Sequence, residues 1–262
     1  MSLVKSDIRA FNMHSNIYFV GSGEVSVHAI DTEDGIVLID TGYPYMYEQI
    51  LDSMKDVGLD VMRVTAIFHS HGHYDHYGTT ERLAKLTGAK TYISRIDNEI
   101  VNGTLDLSWA TELGFDRLPV LNCDVLIDPP CEFTFGRTKI RCEAAPGHTD
   151  GTLAFFITVP DGDGYITAAM HGGLGLGSMS RDFLLARGLP FDCRDRFIEG
   201  LHRLAEKTPD LVLGNHPEQN GTQKKLLLKE AGECILNPEE WRGLLASAER
   251  SILGLIEKEK NS

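Results

Sequence analysis

The stretch FHSHGHYDHYG, residues 68–78, places four of the chain's ten histidines and an aspartate in one short segment. It continues the apolar run VTAIF, which reads as a buried strand, so the histidines begin where that strand ends. Residues two apart in an extended segment point the same way, and His71 and His73 can therefore converge on one metal ion. Asp75 and His76 are adjacent and diverge, which suits them to a second ion. Two ions about 3.5–4 Å apart can clamp both an attacking oxygen and a substrate oxygen. A solvated loop has no need of so dense a run of imidazoles and carboxylate.

Upstream, IYFV, VSVHAI and IVLID are separated by the turn signals GSGE and DTEDG, which predicts a β-meander. Met46, Ile50, Met54 and Val57 then recur at helical spacing up to Gly58. Downstream, TTERLAKLTG reads as a helix with a threonine cap and a glycine stop, leading into the strand KTYIS. Residues 95–135, with WATELGFDRLP and NCDVLIDPPCEF, lack periodicity and read as a long excursion across the surface. A second β-rich block follows: TKIRCEAA, the loop PGHTDG, TLAFFITV, the turn PDGDG and YITAA. Beyond it lie HGGLGLG, a helix around 195–206, the strand LVLG, the loop NHPEQN and a C-terminal helix from Pro238. Two β-rich blocks, each followed by helices and joined by no linker, predict one domain over residues 1–262 with two sheets face to face and helices outside.

A metal site needs more ligands than the opening stretch supplies, and loops at strand ends are where they are expected. His148 in PGHTDG and His216 in GNHPEQN qualify. Imidazoles with a carboxylate favour zinc, and manganese or iron suits the same donors.

The formal charge of −13, from 25 basic against 38 acidic residues with no Lys/Arg block, argues against a nucleic-acid groove or an anionic membrane surface as partner. A small-molecule substrate fits better. The five cysteines, Cys123, Cys131, Cys142, Cys193 and Cys234, are odd in number and contain no CxxC, so they read as reduced thiols. The start, MSLVKSDIRAFNMHSN, has no apolar leader core, and the longest apolar run, LAFFITV, is far below the roughly 20 residues of a membrane span. These readings give a cytoplasmic expectation, although a removed leader would leave no trace in this chain.

In order along the chain, IVLIDTG, HSHGHYDH, PGHTDG and GNHP resemble the metallo-β-lactamase superfamily. The resemblance implies a four-layer αββα sandwich with a two-metal site on the edge where the sheets meet. It implies that His71, His73 and His148 form a first zinc site, and that Asp75, His76 and His216 form a second. One departure is informative. Most two-metal hydrolases of the superfamily carry a bridging aspartate after the strand corresponding to YITAA, whereas here that stretch is AAMHGGLGLG. Asp161 and Asp163 precede the strand, in its hairpin turn. The pattern therefore resembles the third subclass of class B metallo-β-lactamases, as does the segment 181–220.

The resemblance implies a dinuclear zinc hydrolase that uses metal-bound hydroxide, with Asp75 orienting the attack, to cleave a cyclic amide of the β-lactam kind or a related acyl bond. Zinc lowers the pKa of bound water from 15.7 to about 7, so neither a catalytic serine nor a cysteine is required. The alternative is a lactone or thioester hydrolase of the hydroxyacylglutathione hydrolase type, with a phosphodiesterase ranked below it. Asp40 in LIDTG is expected to brace the metal loop from behind. His171, in the loop that lacks the aspartate, is a candidate to face the substrate. His69 reads as a packed or hydrogen-bonded histidine, and Cys142 as a buried small hydrophobe. His14, His28 and His202 read as surface or strand residues. The run GGLGLG lacks the Lys-Ser/Thr ending of a phosphate loop and reads as flexibility near the site.

Overall fold

Short strands separated by turns open the chain, and their alternating side chains decide which face meets which layer. A computed structural model describes residues 8–115 and 120–261. The strands β1 (Phe11–His14), β2 (Ile17–Phe19), β3 (His28–Thr32) and β4 (Gly35–Ile39) form an antiparallel meander. The helix α1 (Tyr47–Asp56) then crosses over to β5 (Val64–Phe68), which lies parallel to β4. Two helices follow, α2 (Tyr74–Tyr77) and α3 (Thr80–Thr87), and then β6 (Lys90–Ser94), α4 (Asn98–Val101) and β7 (Val125–Ile127) complete a seven-stranded sheet in sequential order.

The second sheet has five strands. β8 (Cys131–Phe135), β9 (Thr138–Ala144), β10 (Leu153–Asp161) and β11 (Gly164–His171) run antiparallel to their neighbours. The helices α5 (Arg181–Arg187) and α6 (Cys193–Leu204) intervene before β12 (Leu211–Gly214) joins β11 in parallel. The helices α7 (Thr222–Glu230) and α8 (Pro238–Lys260) end the chain. None of the described helices is long and apolar enough to cross a membrane.

The period of two in each strand sorts residues into three cores. In β10, Leu153, Phe155, Ile157 and Val159 meet Val37, Ile39, Ala66 and Phe68 of the first sheet, which makes the inter-sheet core. The intervening Ala154 and Phe156 turn outward to α6 and α8, where Phe156 lies edge-on to Trp241 at 5.7 Å. On the other side, Ile36, Leu38 and Ile67 meet Ile50 and Met54 of α1 and Leu83 of α3. Three cores separate four layers, so the expected αββα sandwich is the observed fold.

Local expectations fail where tertiary contacts compete. Thr79 does not cap α3, because its Oγ1 donates to the Thr41 carbonyl at 2.7 Å. The excursion at 95–135 carries α4, β7 and β8, although residues 116–119 of WATELGFDRLP lie outside the described residues. Tyr74, Tyr77, Ile93, Val101, Ala110 and Leu121 form a satellite core beneath it.

His28 is a strand residue with a cross-sheet task. It is fully buried in β3, and its Nε2–H donates to the Gly214 carbonyl at the end of β12 at 2.9 Å. Burial lowers its pKa from 6.5 to about 4. Between those values the unfolded chain holds a proton that the folded chain refuses, so stability is full above pH 6.5 and falls as the pH drops toward 4. His28→Gln keeps a donor and does not titrate. The difference in urea-unfolding free energy between wild type and His28→Gln is therefore expected to shift by about 3 kcal/mol between pH 7 and pH 4. Parallel pH profiles for the two proteins would contradict this assignment.

Candidate metal centre

The residues singled out by the sequence gather where strands end. Asp40 follows β4, His69 to His73 follow β5, and α2 carries Asp75 and His76. His148 lies between β9 and β10, and His216 lies two residues past β12. Strand termini of both sheets thus supply one cluster.

His71, His73 and His148 form a triangle with ring centroids 4.5–4.6 Å apart, and Nε2 of His71 is 3.1 Å from Nε2 of His148. Ligand atoms of His71, Asp75 and His76 lie within 4.8 Å of one another. His216 closes this second group, with its ring 5.1 Å from that of His76 and its Nε2 3.5 Å from Asp75 Oδ2. The structure therefore brings together all six residues proposed as ligands.

Hydrogen bonds at the back of the rings decide what the fronts present. Ser70 Oγ donates its only proton to Asp40 Oδ2 at 2.7 Å, so it can only accept from His71 Nδ1–H at 3.0 Å. His148 Nδ1–H donates to the Gly175 carbonyl at 2.7 Å, His76 Nδ1–H to Asp40 Oδ2 at 2.9 Å, and His216 Nδ1–H to the Glu24 carbonyl at 2.8 Å. Each of the four rings is thereby fixed with Nδ1 protonated and Nε2 turned inward. Two lone pairs then face each other across 3.1 Å between His71 and His148, an arrangement that repels unless a cation lies between them. A tetrahedral zinc with Zn–N of about 2.0–2.1 Å holds its nitrogens roughly 3.3 Å apart, so the spacing suits that ion. His76 Nε2 is buried with no hydrogen-bond partner, a second atom prepared for an ion.

The electrostatics agree with this reading. Burial holds His71 and His73 well below the usual imidazole range and lowers His148 to about 4, which leaves these rings neutral at pH 7. For His76, burial opposes a charge, but the Asp75 and Asp40 carboxylates outweigh it and push the ring up to about 10. Burial likewise opposes ionisation of Asp75, and the His76 imidazolium outweighs it and holds the carboxyl below its ordinary range. A proton on His76 thus supplies the positive charge that the site demands of an ion.

Asp40 lies behind the histidine loop, bonded to Ser70 and His76. It is buried in left-handed backbone (φ 59°), which aspartate tolerates, and it accepts from the Ser70 amide as well as from Ser70 Oγ and His76. Asp97 is a second brace, which the sequence reading missed. Fully buried after β6, it accepts from the amides of Gly72 at 2.7 Å and Gly151 at 2.8 Å and from Thr149 Oγ1 at 2.6 Å. It ties the His71–His73 loop to the His148 loop. Burial raises its pKa to about 6 against those three donors.

His69 points away from the cluster, pinned between the Tyr92 carbonyl at 2.8 Å and Thr80 Oγ1 at 2.7 Å. His171 is buried with its ring 5.9 Å from Phe197, and its Nδ1 accepts from the Gly173 amide at 3.2 Å. It does not line the cleft described below. His14 and His202 pair with Asp161 and Glu249. The glycine run is a matter of close approach rather than flexibility: a Cβ on Gly173 would lie 2.4 Å from His148 Cδ2. Gly147, before His148, has φ 134° and lies so close to Phe197 that a Cβ would come within 2.5 Å of it.

A cleft of about 100 Å³ opens beside His73 and His148, lined mainly by α4, α5 and the loops around them. Trp109, which packs against two of the lining residues, is held at φ 62° with its ring 5.5 Å from His73 and 4.6 Å from Phe183. A tryptophan in left-handed backbone costs of order 1–3 kcal/mol, which its surroundings must offset.

Fold and site together define a known class. The profile of the metallo-beta-lactamase superfamily matches residues 20–216, and the chain belongs to that superfamily. Among solved structures it is similar to BJP-1, a subclass B3 metallo-beta-lactamase of Bradyrhizobium japonicum, with 24% identity, a TM-score of 0.87, and 98% of this chain and 97% of that one covered. An uncharacterized protein of Aquifex aeolicus is 28% identical over 50% of this chain and 58% of its own length. A hydroxyacylglutathione hydrolase of Pseudomonas putida is 32% identical over 47% of this chain and 38% of its own.

Asp97→Ala leaves the Gly72 and Gly151 amides buried without an acceptor. It is expected to cost at least about 2 kcal/mol in urea unfolding and to speed hydrogen exchange at both amides. Unchanged exchange at Gly72 and Gly151 would contradict the bracing role.

Proposed function

We propose that the chain is a dinuclear zinc hydrolase that opens a cyclic amide of the β-lactam kind or a related acyl bond. The observation that carries this reading is the pair of inward lone pairs on His71 and His148, 3.1 Å apart with both Nδ1 atoms already engaged. His71, His73 and His148 would hold one ion, and Asp75, His76 and His216 the other. Bound zinc supplies a water acidified to a pKa of about 7 and polarises a carbonyl oxygen.

The chain's own groups prepare the reaction. Asp75 stays ionised at neutral pH, so its carboxylate can accept a hydrogen bond from the attacking water and orient it. Asp40 and Asp97 keep the ligand loops from shifting during the change in charge. The last residue of β11, His171, and the glycines after it stand where a bridging carboxylate would, which favours the cyclic-amide reading over the thioester one. The similarity to the Pseudomonas putida hydrolase supports a lactone or thioester hydrolase as the second reading, although it covers 47% of this chain. A phosphodiesterase finds little support, since Arg196, the one basic residue among the described residues lining the cleft, is paired with Asp150.

Zinc-saturated protein is expected to hold two equivalents of zinc and to hydrolyse a chromogenic cephalosporin with turnover that a chelator abolishes and zinc restores. His71→Ala should lower zinc affinity at least tenfold, while His69→Ala keeps both ions. One equivalent of zinc, loss of an ion in His69→Ala, or phosphodiester cleavage with no lactam, lactone or thioester hydrolysis would overturn the assignment.

A further inference from the structure

We infer that the cleft beside His73 and His148 receives an uncharged, unbranched hydrocarbon arm on the acyl side of the scissile bond. The inference rests on the hydrolase reading and specifies its substrate class. Ile100, Leu107, Phe183, Leu184 and Leu189 line the cleft with apolar surface, and the two histidines form its wall toward the metal centre. Of the lining residues, Ile96 is 55% exposed and Leu105 41% exposed, large apolar side chains left to solvent.

Charge and size narrow the occupant. Arg196 is held by Asp150 at 2.9 Å and Asp192 at 3.3 Å, so its charge is already balanced. Asp97, which also lines the cleft, has its oxygens engaged by Gly72, Thr149 and Gly151. Neither ion invites a charged tail. Whole drug-sized ligands fill roughly 300–1,000 Å³. The cleft has about 100 Å³, room for an arm of the substrate rather than its body. Phe183, which lines it, is backed by Trp109 with ring centroids 4.6 Å apart, and a Cβ on Gly177 would come within 3.0 Å of the indole. An apolar slot this small, with Phe183 packed from behind, selects extended chains over bulky rings.

With the arm in the slot, the acyl carbon comes to rest on the histidine side. Water's oxygen adds there, the acyl C–N or C–O bond breaks, and the departing atom takes up a proton from the water.

The test uses the full chain and two series of probes. Calorimetric titration with 1-alkanols from butanol to decanol is expected to show Kd falling about fourfold per methylene until the slot is full, the ratio that corresponds to about 0.8 kcal/mol for each buried CH₂. Zinc-loaded protein is expected to hydrolyse 4-nitrophenyl esters from acetate to decanoate with kcat/KM rising by the same ratio over the same range. Ile96→Asp and Leu105→Asp, both at exposed positions, should raise the Kd of the longest alkanol that fits at least tenfold without lowering Tm. Alkanol affinity independent of length, or variants that bind like wild type, would overturn the inference. Ester hydrolysis indifferent to chain length would overturn it while leaving the hydrolase reading intact. Length-dependent alkanol binding with no hydrolysis of any ester, lactam, lactone or thioester would uphold the slot and remove the hydrolase reading.

Discussion

Asp40 accepts hydrogen bonds from the Ser70 amide, the Ser70 hydroxyl and His76 Nδ1, and through them it dictates which nitrogen His71 and His76 turn toward each other. The consequence is chemical as much as geometric. An imidazole with its proton committed behind it can offer only a lone pair in front, and four such rings converge on one small volume. Main-chain carbonyls do the same for His148 and His216, so the site draws its polarity from the backbone of the Gly175 and Glu24 loops as well as from one carboxylate. The arrangement leaves little choice but a positive charge at its centre. A proton on His76 meets that demand when no ion is bound.

The sandwich makes such a convergence possible because strand ends are rigid. Phe68, the last residue of β5, stacks on Tyr92 at 4.3 Å and meets Phe155 of the opposite sheet edge-on, so the chain enters the histidine loop from a fixed point. A one-residue slip in β5 would turn Phe68 out of the inter-sheet core and carry His71 and His73 away with it. Asp97 then joins two loops that belong to different sheets, and His28 ties the end of β12 to β3. Each polar tie crosses between elements distant in sequence, and each is buried, where an unmatched donor costs about 1–3 kcal/mol.

What could be read in the sequence follows from how local each signal is. The apolar runs LAFFITV and IVLI, the spacing of Ile50 and Met54, and the compact histidine run all report on neighbours along the chain, and the structure places them in strands, in a helix and in one cluster. His148 and His216 were legible because each stands in a polar loop directly after a strand. Asp97 was not, since a lone aspartate in SRID looks the same whether it faces water or two ligand loops. Thr79 carried a genuine capping signal and lost it to the Thr41 carbonyl. The glycine run suggested freedom, yet Gly173 serves to let the chain press against His148. His28 looked like any strand histidine until the second sheet supplied its acceptor.

The account turns on histidine nitrogens being the inward ligands of two neighbouring ions. X-ray absorption at the zinc edge of the zinc-saturated protein reads that directly. The account predicts a first shell of nitrogen and oxygen only, at about 2.0–2.1 Å, outer-shell scattering from several imidazoles per zinc, and a zinc–zinc vector at roughly 3.5–4 Å. Sulfur in the first shell, or zinc with water-dominated coordination and no metal–metal vector, would contradict it.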